Sequence, residues 1–324
     1  MKCTNNIVTA CIFFCIIFSL CGCGSSKIEI PYTLEDQVSA YTFESNDARE
    51  TAKPFAQDLC IVGADITPAD VDMHKATAAG LFSVNAKETY YAKNAHKQMY
   101  PASLTKTLTA LIALKYGKLD DILTASENVK ITESGAQLCG FKPGDQLTLD
   151  QVLHGLLMYS GNDAAIMIAE YISGSVEEFS KKMNDEARML GATNSNFVNP
   201  HGLTDDNHYS TVYDLYLIFN EAMKYDKFKE IIHMNEYSTT YKTKDGTEKK
   251  LEFGTTNQFL SGKFKTPSNV SIIGGKTGTT KAAGSCLILL SNNTSGEPYI
   301  SVVLQADDRD AVYEEMTNLL HKVK

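Results

Sequence analysis

Between Ala102 and Gly117 the chain has almost no polar side, and this stretch constrains the fold more than any other feature. Leu108, Leu111, Ile112 and Leu114 lie among threonines and alanines, so a helix built here is apolar around most of its circumference. Such a helix belongs in the interior of a domain. The sequence therefore predicts a central helix that opens at Ala102–Lys106 and stops at Gly117.

The segments on either side differ in kind. From Ala76 to Tyr91, short mixed runs around Gly80 and Asn85 predict a β-hairpin. Thr148 and Gln151 have capping-box spacing ahead of Val152, Leu153, Leu156 and Leu157, which predicts a helix ending near Tyr159. Ser175 and Glu178 repeat that spacing before Phe179, Met183 and Leu190, with Gly191 as the stop. Lys242 to Lys250 reads as an exposed hairpin tip around Asp245-Gly246. In the last third the period changes. Val270–Gly275, Cys286–Ser291 and Tyr299–Gln305 are β-rich, and a turn over Asn292–Gly296 joins the latter two. A closing helix, Arg309–Val323, places Val312, Met316, Leu319 and Leu320 on one side, as core packing requires. Strands at both ends with helices between them define an α/β chain of the α+β kind. Its antiparallel sheet comes from N- and C-terminal segments and is flanked by helices, with a helical lobe inserted. A length of 324 residues suits one core, or one core with a lobed extension.

The net charge of -9 excludes nucleic acid as a partner, because phosphate-backbone binding rests on clustered Lys and Arg. At the N-terminus, Lys2 precedes an apolar run from Ile7 to Leu20, the length of an export signal's core and short for a membrane span. Leu20-Cys21-Gly22-Cys23 follows and resembles a bacterial lipobox with Cys23 as the lipidated residue, departing from the usual pattern at Cys21. The expected organisation is a lipoprotein-type signal peptide over 1–22, a lipidated cysteine and polar tether over 23–57, and a catalytic domain over 58–324. That places the protein at the outer face of the cytoplasmic membrane, attached through an N-terminal lipid; plain cleavage and release is the alternative. Cys3, Cys11, Cys15 and Cys21 fall in the signal. Cys60, Cys139 and Cys286 are scattered and form neither a disulfide framework nor a C-x-x-C metal site, so they read as buried thiols.

Chemistry is concentrated in three short strings: Ser103-Leu104-Thr105-Lys106, Ser160-Gly161-Asn162 and Lys276-Thr277-Gly278. Singly they read as a helix cap, a turn and a surface cation. In this order, with enough chain between them for a lobe, they read as one site. Serine is a weak nucleophile without a base, and spacing of i, i+3 at a helix start puts the Lys106 amine one turn from the Ser103 hydroxyl. Lys106 acts as base only when neutral, which burial or a second cation such as Lys276 promotes. The free backbone N–H of Ser103 faces a developing oxyanion. Ser160 is placed to shuttle a proton to a leaving amine and Asn162 to hold a substrate peptide group. Lys276 and Thr277 suit a terminal carboxylate, and Gly278 a close approach to the strand edge.

These motifs resemble those of class A β-lactamases and penicillin-binding proteins. Tyr100–Thr107, Leu156–Ala165, Asn199–Leu203 and Gly274–Thr280 through Gly284 are similar to the low-molecular-mass D-alanyl-D-alanine carboxypeptidases, and the similarity runs from about Asp58 to the C-terminus. The resemblance implies the β-lactamase/transpeptidase fold and a D,D-carboxypeptidase acting on peptidoglycan stem peptides that end in D-Ala-D-Ala. It implies Ser103 as nucleophile, Lys106 as base, Ser160 as bridge, Asn162, Lys276, Thr277 and Gly278 as substrate-binding residues, and the Thr279 N–H as second oxyanion donor. It also implies acylation of Ser103 by β-lactam antibiotics and no cofactor or metal. Many members continue into a β-rich domain and a membrane helix, which this chain lacks after Lys324 and for which the Cys23 lipid is the expected substitute. Between Asn162 and Lys276 there is no Glu-x-x-Leu-Asn string, which disfavours a β-lactamase, and the seven histidines form no H-E-x-x-H, which disfavours a zinc peptidase. A D,D-endopeptidase on cross-links and a catalytically silent peptidoglycan-binding scaffold remain as alternatives. His201 and His208 read as structural loop residues.

Overall fold

A computed structural model describes residues 56–324. The signal, Cys23 and nearly all of the tether lie outside the described residues. The predicted hairpin is β1 (Ala76–Ser83) and β2 (Glu88–Lys93). A 3-10 turn over Ala102–Thr105 then leads into α1 (Lys106–Tyr116), whose residues Lys106 to Ala113 are all buried. Two three-residue strands follow, β3 (Ile122–Thr124) and β4 (Gln146–Thr148). The lobe helices are α2 (Leu149–His154), continued by a π-helical turn over Gly155–Tyr159, α3 (Asn162–Ser173) and α4 (Val176–Met189). Then come α5 (Val212–Ala222) and α6 (Asp226–His233), and the hairpin β5 (Glu236–Lys242) and β6 (Glu248–Gly254). The chain ends with β7 (Val270–Thr280), β8 (Gly284–Asn293), β9 (Pro298–Ala306) and α7 (Arg309–Leu320).

The main sheet runs β2-β1-β9-β8-β7 with every neighbouring pair antiparallel, so N-terminal and C-terminal strands meet at β1 and β9. Along β8 the side chains alternate between two cores. Leu287 and Leu289 join the apolar cluster under α7, whereas Ile288 and Leu290 join the one that holds α1. That period of two explains why Cys286–Leu290 is an unbroken apolar run: both faces are covered. As its apolar circumference requires, α1 packs against α3, α4, α5, α6 and the π-helical turn. In α7, Glu315 is buried, and its Oε1 accepts from the Lys75 backbone N–H at 2.7 Å.

A second sheet, β3-β4-β5-β6, stands beside the lobe. The sequence revealed only its hairpin tip, because three-residue strands are too short to show a period. The capping box at α2 forms as predicted, with the Gln151 N–H donating to Thr148 Oγ1 at 3.1 Å and the Thr148 N–H to Gln151 Oε1 at 3.0 Å. Gln151 Nε2 also donates to Thr239 Oγ1 and to the Thr240 carbonyl, tying the start of α2 to β5. The helix that delivers the Ser160 motif is thus fixed at its origin. Replacing Thr148→Ala is expected to cost about 1 kcal/mol of unfolding free energy, read from the midpoint of urea denaturation.

Candidate active site

Ser103 sits half-buried on the 3-10 turn, three residues ahead of α1 rather than in the first turn of an α-helix. Side chains three apart eclipse in such a turn, so the Ser103–Lys106 pairing survives the change. The turn is strained: Ala102 has a φ of 46°, a region that non-glycine residues seldom enter. Gly202 packs directly over it, and a Cβ there would lie 1.9 Å from the Ala102 carbonyl oxygen.

The Lys106 side chain is completely buried, and its Nζ meets three oxygens: Ser103 Oγ at 2.9 Å, Asn162 Oδ1 at 2.7 Å and the His201 carbonyl at 2.7 Å. Burial, and after it the charge of Lys276, hold this amine well below the usual lysine range. A neutral amine has two N–H bonds and one lone pair. Asn162 Oδ1 and the His201 carbonyl accept only, so they take the two N–H bonds and leave the lone pair for the Ser103 hydroxyl. The three contacts therefore select which partner gives up its proton.

At the second motif, Ser160 ends the π-helical turn in the left-handed region, with φ 68° and ψ 31°. Its Oγ accepts from Lys276 Nζ at 2.9 Å, and Lys276 also donates to the Thr277 carbonyl at 2.8 Å. Lys276 is buried, and burial lowers its pKa to about 7. The expected assignments are redistributed: Ser160 is tied to Lys276 rather than to Lys106, and the Oδ1 of Asn162, expected to face substrate, is engaged by Lys106. Asp163 holds the motif from behind. Its carboxylate accepts from the backbone N–H groups of Cys139, Gly140, Phe141 and Ala164 at 2.8 to 3.1 Å, drawing the loop with Gln137 over the cleft.

The third motif lies within β7, the edge strand of the main sheet, and not at the strand's end. Thr277 Oγ1 is 2.7 Å from Thr256 Oγ1, and Thr279 is exposed. A Cβ on Gly278 would sit 2.9 Å from the Ser103 nitrogen, so this glycine lets β7 close against the nucleophile's own backbone, a nearer neighbour than the substrate expected there. Ser103, Ser160, Thr277, Gly278 and Thr279 line one cleft of about 580 Å³. Arg309, Gln258 and Thr256 line it too, and none of them carries a motif that marks it in the sequence. Cys60 and Cys286 are buried free thiols as expected, while Cys139 is only partly covered.

The chain superimposes on a solved DD-transpeptidase from Streptomyces strain K15 with a TM-score of 0.72 at 27% identity, over 79% of this chain and 98% of that one. Fold and site together thus define a protein of the penicillin-binding and β-lactamase fold. Residues 65–308 match the family model described as D-alanyl-D-alanine carboxypeptidase, and the chain belongs to that family. Among its relatives are the D-alanyl-D-alanine carboxypeptidase DacF of Bacillus subtilis, 36% identical over 66% of this chain, and the D-alanyl-D-alanine carboxypeptidase of Streptomyces strain K15, 30% identical over 75%. The chain spans about half of the Bacillus relative's length, 53%, and 86% of the Streptomyces one.

The charge coupling between the two lysines gives a pH test. Lys106 works as a base only when neutral, so the rate of Ser103 acylation by an activated donor falls as pH drops through its pKa. Lys276→Ala removes the second cause of the depression, which raises the Lys106 pKa and moves this acid limb to higher pH. A limb at unchanged pH in stopped-flow acylation contradicts the coupling.

Proposed function

We propose that the protein is a serine D,D-carboxypeptidase that removes the terminal D-Ala from peptidoglycan stem peptides ending in D-Ala-D-Ala. The observation that carries this reading is the buried Lys106 amine 2.9 Å from Ser103 Oγ, with its other two contacts made to acceptors. Lys106 takes the Ser103 proton as Oγ attacks the carbonyl of the penultimate D-Ala. Negative charge gathers on that carbonyl oxygen, where the backbone N–H groups of Ser103 and Thr279 stabilise it. The C–N bond then breaks, the acyl group stays on Ser103, and the departing D-Ala nitrogen receives a proton relayed from Lys106 with Ser160 and Lys276 beside the path. Water, deprotonated by Lys106, attacks the ester and restores the serine.

The terminal carboxylate requires cations and hydroxyls on the leaving-group side; Thr277 and Arg309 line the cleft, and the buried Lys276 stands behind it against Ser160, which also lines it. Asn162 acts by holding Lys106, and Gly278 by admitting β7 to the nucleophile. A β-lactam presents an amide and a carboxylate in a comparable relation, so the same serine is expected to be acylated by penicillins. Full-length protein carrying Ser103→Ala is expected to lose covalent labelling by a fluorescent penicillin while melting near the native temperature. Labelling that persists in the folded variant places the nucleophile elsewhere.

We also propose that a diacylglycerol on Cys23 holds the protein at the outer face of the cytoplasmic membrane. The support is the Leu20-Cys21-Gly22-Cys23 string behind its apolar run. Among the described residues no helix is long and apolar enough to cross a membrane. One fatty chain anchors only marginally, whereas two give stable attachment. Were the stretch from Gly24 to Gln57 a random coil, it would reach on the order of 30 Å, enough to search nearby peptidoglycan. Cys23→Ser is expected to move the protein from the membrane fraction to the soluble exported fraction; retention after a salt wash contradicts the lipid.

A further inference from the structure

His208, expected to be a loop residue without a part in the chemistry, touches the back of the nucleophile turn. It lies between α4 and α5 and is almost fully buried, with its ring edge-on to Phe197. The Val198 backbone N–H donates to His208 Nδ1 at 3.2 Å, and His208 Nε2 is 2.9 Å from Thr105 Oγ1. Thr105 Oγ1 in turn donates to the Ala102 carbonyl at 2.8 Å.

Each direction in this chain is forced. A backbone N–H only donates, so Nδ1 carries no proton. A carbonyl only accepts, so the single hydroxyl hydrogen of Thr105 goes to Ala102. The contact between Nε2 and Thr105 Oγ1 then requires a proton on Nε2. The ring is therefore the neutral Nε2–H tautomer. Burial keeps it so, pushing its pKa down to about 4 against the opposing pull of Asp205.

The carbonyl at the end of this chain shares a planar peptide unit with the Ser103 N–H. Holding the Ala102 oxygen toward Thr105 turns the Ser103 N–H to the opposite side, and there Gly278 leaves room beside it. Ala102 is in a strained conformation that relaxes unless its surroundings hold it. We propose that His208 is a positioning residue which, through Thr105, sets the orientation of the Ala102–Ser103 peptide and so aims the Ser103 N–H at the acyl oxygen.

The inference rests on Ser103 as the acylated residue, and the test separates the two. In full-length protein, penicillin acylation is resolved into the binding constant of the pre-covalent complex and the acylation rate constant. His208→Asn keeps an acceptor for Val198 but loses the donor to Thr105, whereas His208→Gln keeps a donor near the Nε2 position. The acylation constant is expected to fall on the order of tenfold to a hundredfold in His208→Asn with binding little changed, and to recover most of that loss in His208→Gln. An unchanged acylation constant in His208→Asn overturns the proposal, as does an equal loss in both variants that tracks their melting temperatures. Should His208→Asn fail to fold, Thr105→Val decides: it breaks the same chain one link later, and native acylation in it overturns the proposal. Native protein that penicillin does not label contradicts the Ser103 assignment instead.

Discussion

Once neutral, the Lys106 amine has two N–H bonds to give and one lone pair to receive, and its surroundings decide where each points. Asn162 Oδ1 and the His201 carbonyl are fixed acceptors, so the lone pair is left to Ser103. Burying an amine is costly unless it is both neutral and hydrogen-bonded, and here both conditions hold. The partners come from three distant places: the 3-10 turn before α1, the start of α3, and the loop between α4 and α5. Packing of the apolar α1 among the lobe helices brings them together.

The sheet contributes from the other side. As edge strand, β7 carries Lys276 toward Lys106 and leaves one backbone edge open to the cleft. Lys276 makes the neutral state of Lys106 easier to reach, while its own ammonium rests on Ser160 and the Thr277 carbonyl. Two non-glycine residues in the left-handed region, Ala102 and Ser160, flank the reacting groups. Each costs of order 1–3 kcal/mol and is held by its neighbours: Ala102 by Thr105, His208 and Gly202, and Ser160 by Lys276 and the end of the π-helical turn.

Much of this was legible from residues alone. The apolar circumference of α1, the capping box at Thr148 and the β-rich runs of the last third report local physics, and the ordered motifs point to one site. What escaped is what local pattern does not encode. β3 and β4 are too short to show a period, so only the hairpin tip of the second sheet was visible. The His201 group that fixes Lys106 is a backbone carbonyl, which any residue type could supply. Arg309 looks like an ordinary first residue of a surface helix until the sheet carries it to the cleft. The engagement of Asn162 by Lys106, and of Ser160 by Lys276, depends on distances that spacing in the chain cannot give.

The central claim is that Lys106 is neutral in the resting protein and offers its lone pair to Ser103. Labelling lysines with carbon-13 at Cε and titrating the full-length protein by NMR measures this directly, with the Lys106 signal assigned by its disappearance in Lys106→Met. The account predicts a Lys106 resonance already at its neutral-amine position at neutral pH, protonating only as the pH is lowered. A Lys106 signal that titrates near 10.5, with the bulk of the lysines, would contradict it.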